Sequence, residues 1–502
     1  MLKNEKLELG FLLLISLLLS FYLFFRTYTI SLDGAFQYIP IAKDFASGFF
    51  SKALSHNQQP LYSLMVALVS RWVLDFELAG KLVSSIFGIL LVIPVYFLGK
   101  RIFDEKIVLF SSFFLVIHPY IRRFSADVLK ESTFLFFLGT AMWFAWRTIQ
   151  DEKRTPFLFI PMFSVLAYLL RPDGIEVLLV VFFYLLFIKK FSIPGRKRTV
   201  LLLLTLSLCV LLIPYLFYLR EVRGEWTFGK SKSIIEMSGL GGLKDGVPFA
   251  HKILYSLKIL NLDALTIFHP VYVFLSMIGL LKSIFSRLRA GEGFLLSFCC
   301  LHYLVLFLMI QNTTEWAEDG AMKAVYLSGR HVLPLLLISI YWVGEGFLTV
   351  YQWVLGLAES RRLFFPLKPK DKSLIVLGAL LVLMLAIVLP KTMKPQRYEH
   401  LSEKWAGIWI KNQSERGVTI FTNLPRVAYY TNRKCEYIDP RNSTVNEVKA
   451  SMVKQEGSYL VILAEDVSGD PEKVKSYQRD FVEVIRFGQK GMEKVIIYKT
   501  IH

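Results

Sequence analysis

The sequence has few cysteines and lacks the short patterns typical of metal sites. Four cysteines occur in 502 residues. Three lie inside apolar runs and Cys435 stands alone in a more polar segment, so we expect buried thiols rather than a disulfide framework. No CxxC or HExxH pattern occurs. Internal repeats and low-complexity tracts are also missing, which weakens an interpretation as a transporter built from inverted repeats.

Apolar residues, in contrast, are abundant. They make up 54% of the chain, phenylalanine occurs 42 times, and the mean hydropathy is +0.48. Runs of about twenty apolar residues recur, which is the length that crosses a bilayer as a helix. The first run, residues 9–25, has no small-residue cleavage site after it, so we interpret it as a retained span rather than a signal peptide. The composition predicts a polytopic α-helical membrane protein.

The net charge of +18 follows a topological pattern. The basic clusters are Lys100–Arg101, Arg147–Arg154, Lys189–Lys190, Arg196–Arg198, Lys282–Arg289 and Arg361–Lys372. They fall in alternate loops, as the positive-inside rule requires of cytoplasmic loops. We therefore attribute the excess charge to membrane topology and expect no nucleic-acid partner. The same pattern predicts a cytoplasmic N-terminus and an extracytoplasmic C-terminus.

These signals predict about eleven spans in a membrane domain, residues 1–390. The spans are placed near residues 9–29, 79–99, 106–119, 128–147, 156–170, 174–188, 199–219, 264–282, 293–311, 331–350 and 373–390. Three outer loops are substantial: residues 30–78, 220–263 and 312–330. The first contains an apolar segment that is too short to cross and is suited to a helix lying in the membrane interface.

After Pro390 the composition changes, and residues 391–502 predict a small extracytoplasmic α/β domain. Extended segments are expected at Val418–Phe421, Tyr459–Leu463 and Val495–Tyr498, with helical stretches between them. The segment is long enough for its own core. It contains nothing that resembles a catalytic triad, a P-loop or a metal site.

Candidate functional residues collect in the predicted outer loops. Asp33 lies a few residues beyond the first span, where it either caps the following helix or performs chemistry at the membrane surface. Asp127 and Glu131 have i, i+4 spacing, so on a helix they would share a face and hold a hydroxylated ligand or a cation.

Cations in the predicted outer loops run against the inside bias. Arg122, Arg123, Arg171 and Arg330 suit an anionic group such as a lipid phosphate, although each alternatively meets only anionic lipid heads or stops a span. His56, Gln59 and Tyr62 belong to the interfacial segment of the first outer loop and complete the candidate set.

The order of these features resembles GT-C-type membrane glycosyltransferases. An acid after the first span, an interfacial Pro-Leu-Tyr helix, an acid opening span four and a basic residue between spans five and six are shared with that class. The resemblance is to the dolichyl-phosphate-mannose protein mannosyltransferase superfamily, which includes bacterial lipid A aminoarabinose transferases. It extends over about residues 10–350, and an extracytoplasmic C-terminal α/β domain is also familiar there.

The resemblance implies a sugar donor linked to a polyprenyl phosphate and an acceptor lipid, protein or glycan on the same face of a plasma (inner) membrane. It implies that Asp33 is the general base and that Arg171 and Arg330 bind the donor phosphate. Asp127 and Glu131 would bind sugar hydroxyls or a divalent cation, and a metal requirement stays open. Membrane lipids are the remaining expected partners.

The sequence departs from the family pattern at two positions. Gly34 stands where many members have a second acid, and Gln59 stands where many have a phosphate-binding lysine. These departures bear on the roles of individual residues more than on the class. Two alternatives to a transferase also stay open. One is a transporter or flippase for lipid-linked sugars, and the other is a non-catalytic membrane scaffold that binds glycan or lipid.

Overall fold

The structure is a computed structural model that describes residues 2–151, 158–188, 196–224, 226, 249–316, 322–324, 328–360, 368–415, 417–455 and 457–500. Most of the predicted outer loop 220–263, including Lys230 and Lys232, lies outside the described residues, as do eight residues of the predicted loop 312–330 (317–321 and 325–327). The remainder of the chain forms a helical bundle followed by a small domain with a β-sheet.

The helical bundle extends over the first 392 residues. Its helices are α1 (Leu2–Arg26), α2 (Ile39–Ala46), α3 (Phe50–Ser55), α4 (Leu61–Val73), α5 (Phe76–Leu90), α6 (Val92–Lys100), α7 (Glu105–Ile117), α8 (Pro119–Ser125), α9 (Glu131–Asp151), α10 (Phe159–Tyr168), α11 (Glu176–Phe183), α12 (Arg196–Arg223), α13 (Phe249–Phe268), α14 (Pro270–Phe285), α15 (Ala290–Thr313), α16 (Leu333–Ser360) and α17 (Pro369–Thr392). Two short strands, β1 (Thr314–Trp316) and β2 (Met322–Ala324), pair antiparallel after α15.

Each of the eleven predicted spans contains a helix, but not every helix is a full span. Six described helices are long and apolar enough to cross a membrane, and the number rises to eight if two bent helix pairs each count as one span. The other three predicted segments correspond to α9, α10 and α11. The helix α9 begins at Glu131 and carries Arg147 and Asp151 near its end, and α10 is only ten residues long. The polytopic membrane fold is confirmed, with fewer full-length spans than the sequence predicts.

The two bent pairs break at matching sequence features. The chain turns by 54° between α7 and α8 and by 102° between α13 and α14, and a His-Pro dipeptide lies at each break. Proline opens the second helix of each pair because it has no N–H to donate and suits the first turn of a helix. The Nε2 atom of His118 lies 3.1 Å from the carbonyl oxygen of Phe268, so the two breaks are in contact.

Two glycines permit a close helix crossing between α14 and α16. A Cβ atom added to Gly279 would lie 2.0 Å from the carbonyl oxygen of Trp342, and one added to Gly346 would lie 1.9 Å from that of Leu275. Neither contact is sterically possible, so only glycine lets the two backbones approach this closely. Small residues at such contacts are typical of helices packed in a membrane.

The C-terminal part forms the predicted α/β domain. Its elements are α18 (Leu401–Gln413), β3 (Thr419–Thr422), α19 (Pro425–Thr431), β4 (Lys434–Glu436), α20 (Val445–Val453), β5 (Tyr459–Leu463), α21 (Glu465–Ser468), α22 (Pro471–Asp480), β6 (Phe481–Phe487) and β7 (Val495–Thr500). The strand order is β4-β3-β5-β7-β6, with β3 parallel to β4 and β5, and β7 antiparallel to β5 and β6. The three expected strands are present, whereas β4 and β6 were missed because β4 is short and β6 is largely exposed.

The α/β domain contacts the loop that follows α1. The Arg426 guanidinium donates from Nε to the carbonyl oxygen of Ile30 at 2.9 Å and from Nη1 to the Glu403 carboxylate at 2.8 Å. Tyr430 accepts a hydrogen bond from the Ile30 amide at 3.0 Å. These bonds fix the backbone three residues before Asp33 against the second domain.

A histidine joins two carboxylates near this contact. The Nδ1 atom of His400 lies 2.9 Å from carboxylate oxygens of both Glu403 and Glu493. The hydrogen bond to Glu403 raises the pKa of His400, the bond to Glu493 acts in the same direction, and partial burial opposes them. Because the protonated form is the bonded one, its stabilising contribution is complete below the unfolded pKa near 6.5 and is lost as the pH rises through the raised value.

The His400→Gln variant is expected to be less stable than the wild type at pH 6, by about 1–2 kcal/mol, because a charged hydrogen bond is lost. The difference should shrink towards pH 9, where the wild-type histidine is neutral. Thermal unfolding of both purified proteins in detergent across this pH range measures it. A difference that stays constant with pH would contradict protonation of His400 as its cause.

Candidate functional site

The loop after α1 places Asp33 at the edge of the bundle. Residues Gly34–Tyr38 form one π-helical turn directly after Asp33. The Ser31 hydroxyl donates to the carbonyl oxygen of Val128 at 2.7 Å and accepts the Gly34 amide at 3.0 Å. A Cβ atom at Gly34 would lie 2.7 Å from Ser31 Oγ and 2.9 Å from Val128 Cβ. The packing therefore leaves no room for an acidic side chain at position 34.

Arg330 joins two of the predicted acids. Its Nη1 atom donates a short hydrogen bond to Asp33 Oδ2 and lies 3.5 Å from Glu131 Oε1. Arg330 belongs to a single 3₁₀ turn before α16, Asp33 follows α1, and Glu131 opens α9. We call these three residues the Asp33–Arg330–Glu131 cluster. Three sequence-predicted residues, about 100 and 200 positions apart, are thus brought together.

The two acids of the cluster differ in their surroundings. The Asp33 side chain is 22% exposed, so it is accessible from solvent, whereas the Glu131 side chain is 1% exposed. Neither oxygen of Glu131 accepts a hydrogen bond from any described residue. A buried carboxylate without hydrogen-bond donors is costly unless a ligand or cation completes its environment. Glu131 is therefore the described acid best suited to receive hydroxyl groups or a cation.

Arg171 contacts the backbone of Arg330 and is not a member of the cluster. Its guanidinium is buried and pairs with Asp173 through two bonds, of 2.6 Å from Nη2 and 3.3 Å from Nε. Nη1 donates to the carbonyl oxygen of Arg330 at 3.2 Å, and Nη2 lies 2.7 Å from His331 Nδ1. The guanidinium also packs on the Phe134 ring at 4.7 Å. These contacts position the Arg330 backbone and leave Arg171 already neutralised.

His302 and Glu176, which the sequence analysis did not single out, form a second buried pair near Arg330. His302 Nδ1 lies 2.7 Å from Glu176 Oε2, and its Nε2 atom lies 2.9 Å from the carbonyl oxygen of His331. Both side chains are buried inside segments predicted as spans. A charged or titratable residue within an apolar segment is the signal that could have identified them.

Asp127 is engaged in structural bonds on both oxygens. Oδ1 accepts the amides of Ser31 at 3.0 Å and Val128 at 2.7 Å, and Oδ2 accepts Arg397 Nε at 2.6 Å. The predicted shared helical face with Glu131 is not formed, because α9 begins only at Glu131 and Asp127 precedes it. The residue fixes the Asp33 loop and the start of the second domain to the bundle.

Arg122 and Arg123 lie away from the cluster. The fully buried Arg122 donates from Nη1 to the Ser16 and Ser20 hydroxyls at 2.6 and 3.3 Å and from Nη2 to the Gly88 carbonyl at 2.6 Å. It therefore connects α8 to α1 and α5. Arg123 is partly buried on the same short helix, with its charge near those of Arg397 and Glu399.

The remaining candidates hold the segment around α4. His56 lies 3.0 Å from Asp44, Gln59 accepts a hydrogen bond from the Tyr215 hydroxyl at 2.6 Å, and Tyr62 donates to the Gly80 carbonyl at 3.1 Å.

A residue that the sequence did not single out, Lys130, lies next to this segment and directly before Glu131. Its ammonium donates to Gln58 Oε1 at 3.1 Å.

A groove of about 460 Å³ lies between the Asp33 loop and the α/β domain. It is lined mainly by apolar side chains from residues 35–43 and 425–435, with Lys43 and Arg433 among them. The Asp33–Arg330–Glu131 cluster does not line it, although Ala35 is only two residues beyond Asp33.

Among the described residues, one set of three is close enough to hold a metal ion: His400, Glu403 and Glu493. Arg426 already pairs with Glu403, and His400 bridges the two glutamates, so their charges are balanced within the protein. Both oxygens of Glu131 lack a hydrogen bond from any described residue, and Oε1 lies 3.5 Å from the Arg330 guanidinium.

Comparisons with known proteins agree with this architecture. Residues 57–218 match the family model described as dolichyl-phosphate-mannose-protein mannosyltransferase. A comparison with curated proteins finds no match. The Archaeoglobus fulgidus oligosaccharyltransferase in its apo form is similar with a TM-score of 0.60 and 11% identity, over 99% of this chain and 74% of that chain.

Two ligand-bound structures are similar as well. ArnT from Cupriavidus metallidurans, bound to undecaprenyl phosphate, has a TM-score of 0.60 and 12% identity over 98% of each chain. The archaeal oligosaccharyltransferase AglB from Archaeoglobus fulgidus, in complex with an inhibitory peptide and a dolichol-phosphate, has a TM-score of 0.58 and 12% identity over 99% of this chain and 74% of that chain. At these identities the likeness shows the fold, and the GT-C architecture expected from the sequence is confirmed.

The Asp127→Asn variant is expected to lower the free energy of unfolding by about 2–4 kcal/mol, because it leaves Arg397 without its buried partner. Thermal unfolding in detergent measures the loss. The Arg397→Gln variant should be similarly unstable, and the double variant should cost less than the sum of the two, since the residues are coupled. A variant of normal stability with altered activity would instead support the sugar- or metal-binding role predicted from the sequence.

Proposed function

We propose that this chain, which has the GT-C fold of membrane glycosyltransferases, is an integral-membrane enzyme. It transfers a sugar from a polyprenyl-phosphate-linked donor to an acceptor hydroxyl. The Asp33–Arg330–Glu131 cluster carries this proposal. It combines an accessible carboxylate, a guanidinium and a buried carboxylate with free oxygens. These are the groups needed to accept a proton, to bind a phosphate and to hold a sugar.

Asp33 is proposed as the general base. The acceptor oxygen attacks the anomeric carbon of the donor, its proton passes to the Asp33 carboxylate, and the bond from the anomeric carbon to the phosphate oxygen breaks. Polyprenyl phosphate is the leaving group. An alcohol needs such help because its own pKa is far above 7, and a placed base contributes about 10²- to 10⁴-fold.

Arg330 is proposed to bind the phosphate of the donor. Its guanidinium is the described cation that contacts both acids of the cluster, and it is partly exposed. The Asp33 carboxylate occupies Arg330 in the present structure. A donor phosphate would compete for the same guanidinium, release Asp33 for the acceptor and stabilise the charge that develops on the leaving group. Arg171 contributes by positioning Arg330.

Glu131 is proposed to hold sugar hydroxyls or a divalent cation. Two buried oxygens without hydrogen-bond donors fit either ligand. An acceptor would approach Asp33 from the adjoining groove between residues 35–43 and 425–435. We place the site on the extracytoplasmic face of a plasma membrane, with the N-terminus cytoplasmic and the α/β domain extracytoplasmic.

A transporter of lipid-linked sugars is the second candidate function. The observation that favours it is the pair of broken helices, α7–α8 and α13–α14, which meet through His118 and Phe268. Broken helices of this kind line substrate paths in many transporters. The acids of the cluster, in contrast, lie at helix ends or in loops, which suits a surface enzyme better.

The deciding experiment supplies purified protein in detergent with a panel of polyprenyl-phosphate-linked sugars and of lipid, peptide and glycan acceptors. Release of free polyprenyl phosphate and formation of glycosylated acceptor are measured. The Asp33→Asn variant is expected to lose at least about a hundredfold in rate, since a general base is removed. The Asp44→Asn variant is the matched control, because Asp44 lies on the same predicted outer loop and pairs with Lys52 and His56.

Normal turnover by Asp33→Asn would remove Asp33 from its role but keep the transferase. No product with any donor and acceptor, from protein that unfolds cooperatively, would favour the transporter or the scaffold.

A further inference from the structure

We propose that Lys130 is a second cation of the donor-phosphate site, acting beside Arg330. The inference rests on the proposed function and extends it to a residue that neither the family resemblance nor the sequence pattern assigns.

Lys130 lies at the rim of the Asp33–Arg330–Glu131 cluster. It directly precedes Glu131, and its ammonium donates to the neutral side chain of Gln58 at 3.1 Å. The ammonium also lies 5.6 Å from the centre of the Tyr38 ring, within cation–π range. Tyr38 closes the π-helical turn that begins next to Asp33. The lysine thus contacts the Asp33 loop on one side and the α4 segment on the other.

The other charges around the cluster have partners of opposite sign. Asp173 pairs with Arg171 at 2.6 Å, Asp127 pairs with Arg397 at 2.6 Å, and Arg330 is shared by two acids. Within the described part of the chain, no carboxylate oxygen lies within 4.0 Å of the Lys130 ammonium. Lys130 is therefore a cation of this region without a carboxylate in direct contact, although Glu131 attracts it at longer range.

An anion would give the Lys130 ammonium a direct partner. Lys130 is half-buried, and burial disfavours its charged form; Glu131 attracts the ammonium, whereas Arg171 and Arg330 repel it. Removing a cation from water is costly when its partners are only an amide and a ring. A phosphate bound between Lys130 and Arg330 would offset both the repulsion and the desolvation. Lysine binds phosphate as a compact point charge, which complements the forked contact of an arginine.

A binding experiment tests this role without requiring turnover. The affinities of the purified protein in detergent for undecaprenyl phosphate and for the uncharged undecaprenol are measured. The wild type is expected to bind the phosphate at least about tenfold more tightly than the alcohol. Lys130→Gln should lose about 10- to 100-fold in affinity for the phosphate, the usual range for a charge-assisted bond, and should bind the alcohol unchanged. Lys130→Arg should keep most of the affinity.

The Lys52→Gln variant is the matched control, because Lys52 is an exposed lysine on the predicted outer loop 30–78 and pairs with Asp44. Unchanged phosphate binding by Lys130→Gln, or an equal loss for both lipids, would overturn the role of Lys130 and leave the proposed function standing. A wild type that does not prefer the phosphate would overturn the donor site itself, and with it this inference. Thermal unfolding of each variant separates a lost contact from a lost fold.

Discussion

The need to compensate buried charge at the edge of the helical bundle determines how the candidate site is built. Three carboxylates from two segments of the chain, those of Asp33, Asp127 and Glu131, lie where the Asp33 loop meets the start of α9. Each must find donors or cations, because an isolated ion in such surroundings costs several kcal/mol. Asp127 is satisfied by two amides and Arg397. Asp33 and Glu131 share one guanidinium, that of Arg330, so the two acids compete for a single cation.

The surrounding structure holds that arrangement in place. Arg171 donates a hydrogen bond to the Arg330 carbonyl oxygen, and His302 contacts the carbonyl oxygen of His331. Buried side chains therefore hold the backbone that carries the partly exposed Arg330 guanidinium. On the other side, Asp127 ties the Asp33 loop to the bundle, and Arg426 of the α/β domain ties the same loop through the Ile30 carbonyl. The second domain therefore contributes to the candidate site by holding the Asp33 loop in place.

Much of the architecture followed from apolar runs and from the change in composition after Pro390. All eleven predicted segments contain a helix, and the three expected strands of the α/β domain are present. The residues of the cluster were also recognisable, because acids and arginines at span ends are unusual. The contacts between these residues could not be predicted from the sequence. Asp33 and Arg330 are almost 300 positions apart, and no spacing rule connects them. The i, i+4 argument for Asp127 failed since the helix starts four residues later than assumed. Lys130 lies at the start of the predicted span 128–147, and the sequence analysis did not single it out.

The central claim is that Arg330 exchanges the Asp33 carboxylate for a lipid phosphate. A structure of the protein bound to undecaprenyl phosphate, determined by electron cryomicroscopy in a lipid nanodisc, tests it most directly. The account predicts that a phosphate oxygen lies within hydrogen-bond distance of the Arg330 guanidinium and that Asp33 has separated from it. A lipid phosphate bound elsewhere, with the bond between Asp33 and Arg330 intact, would contradict the account.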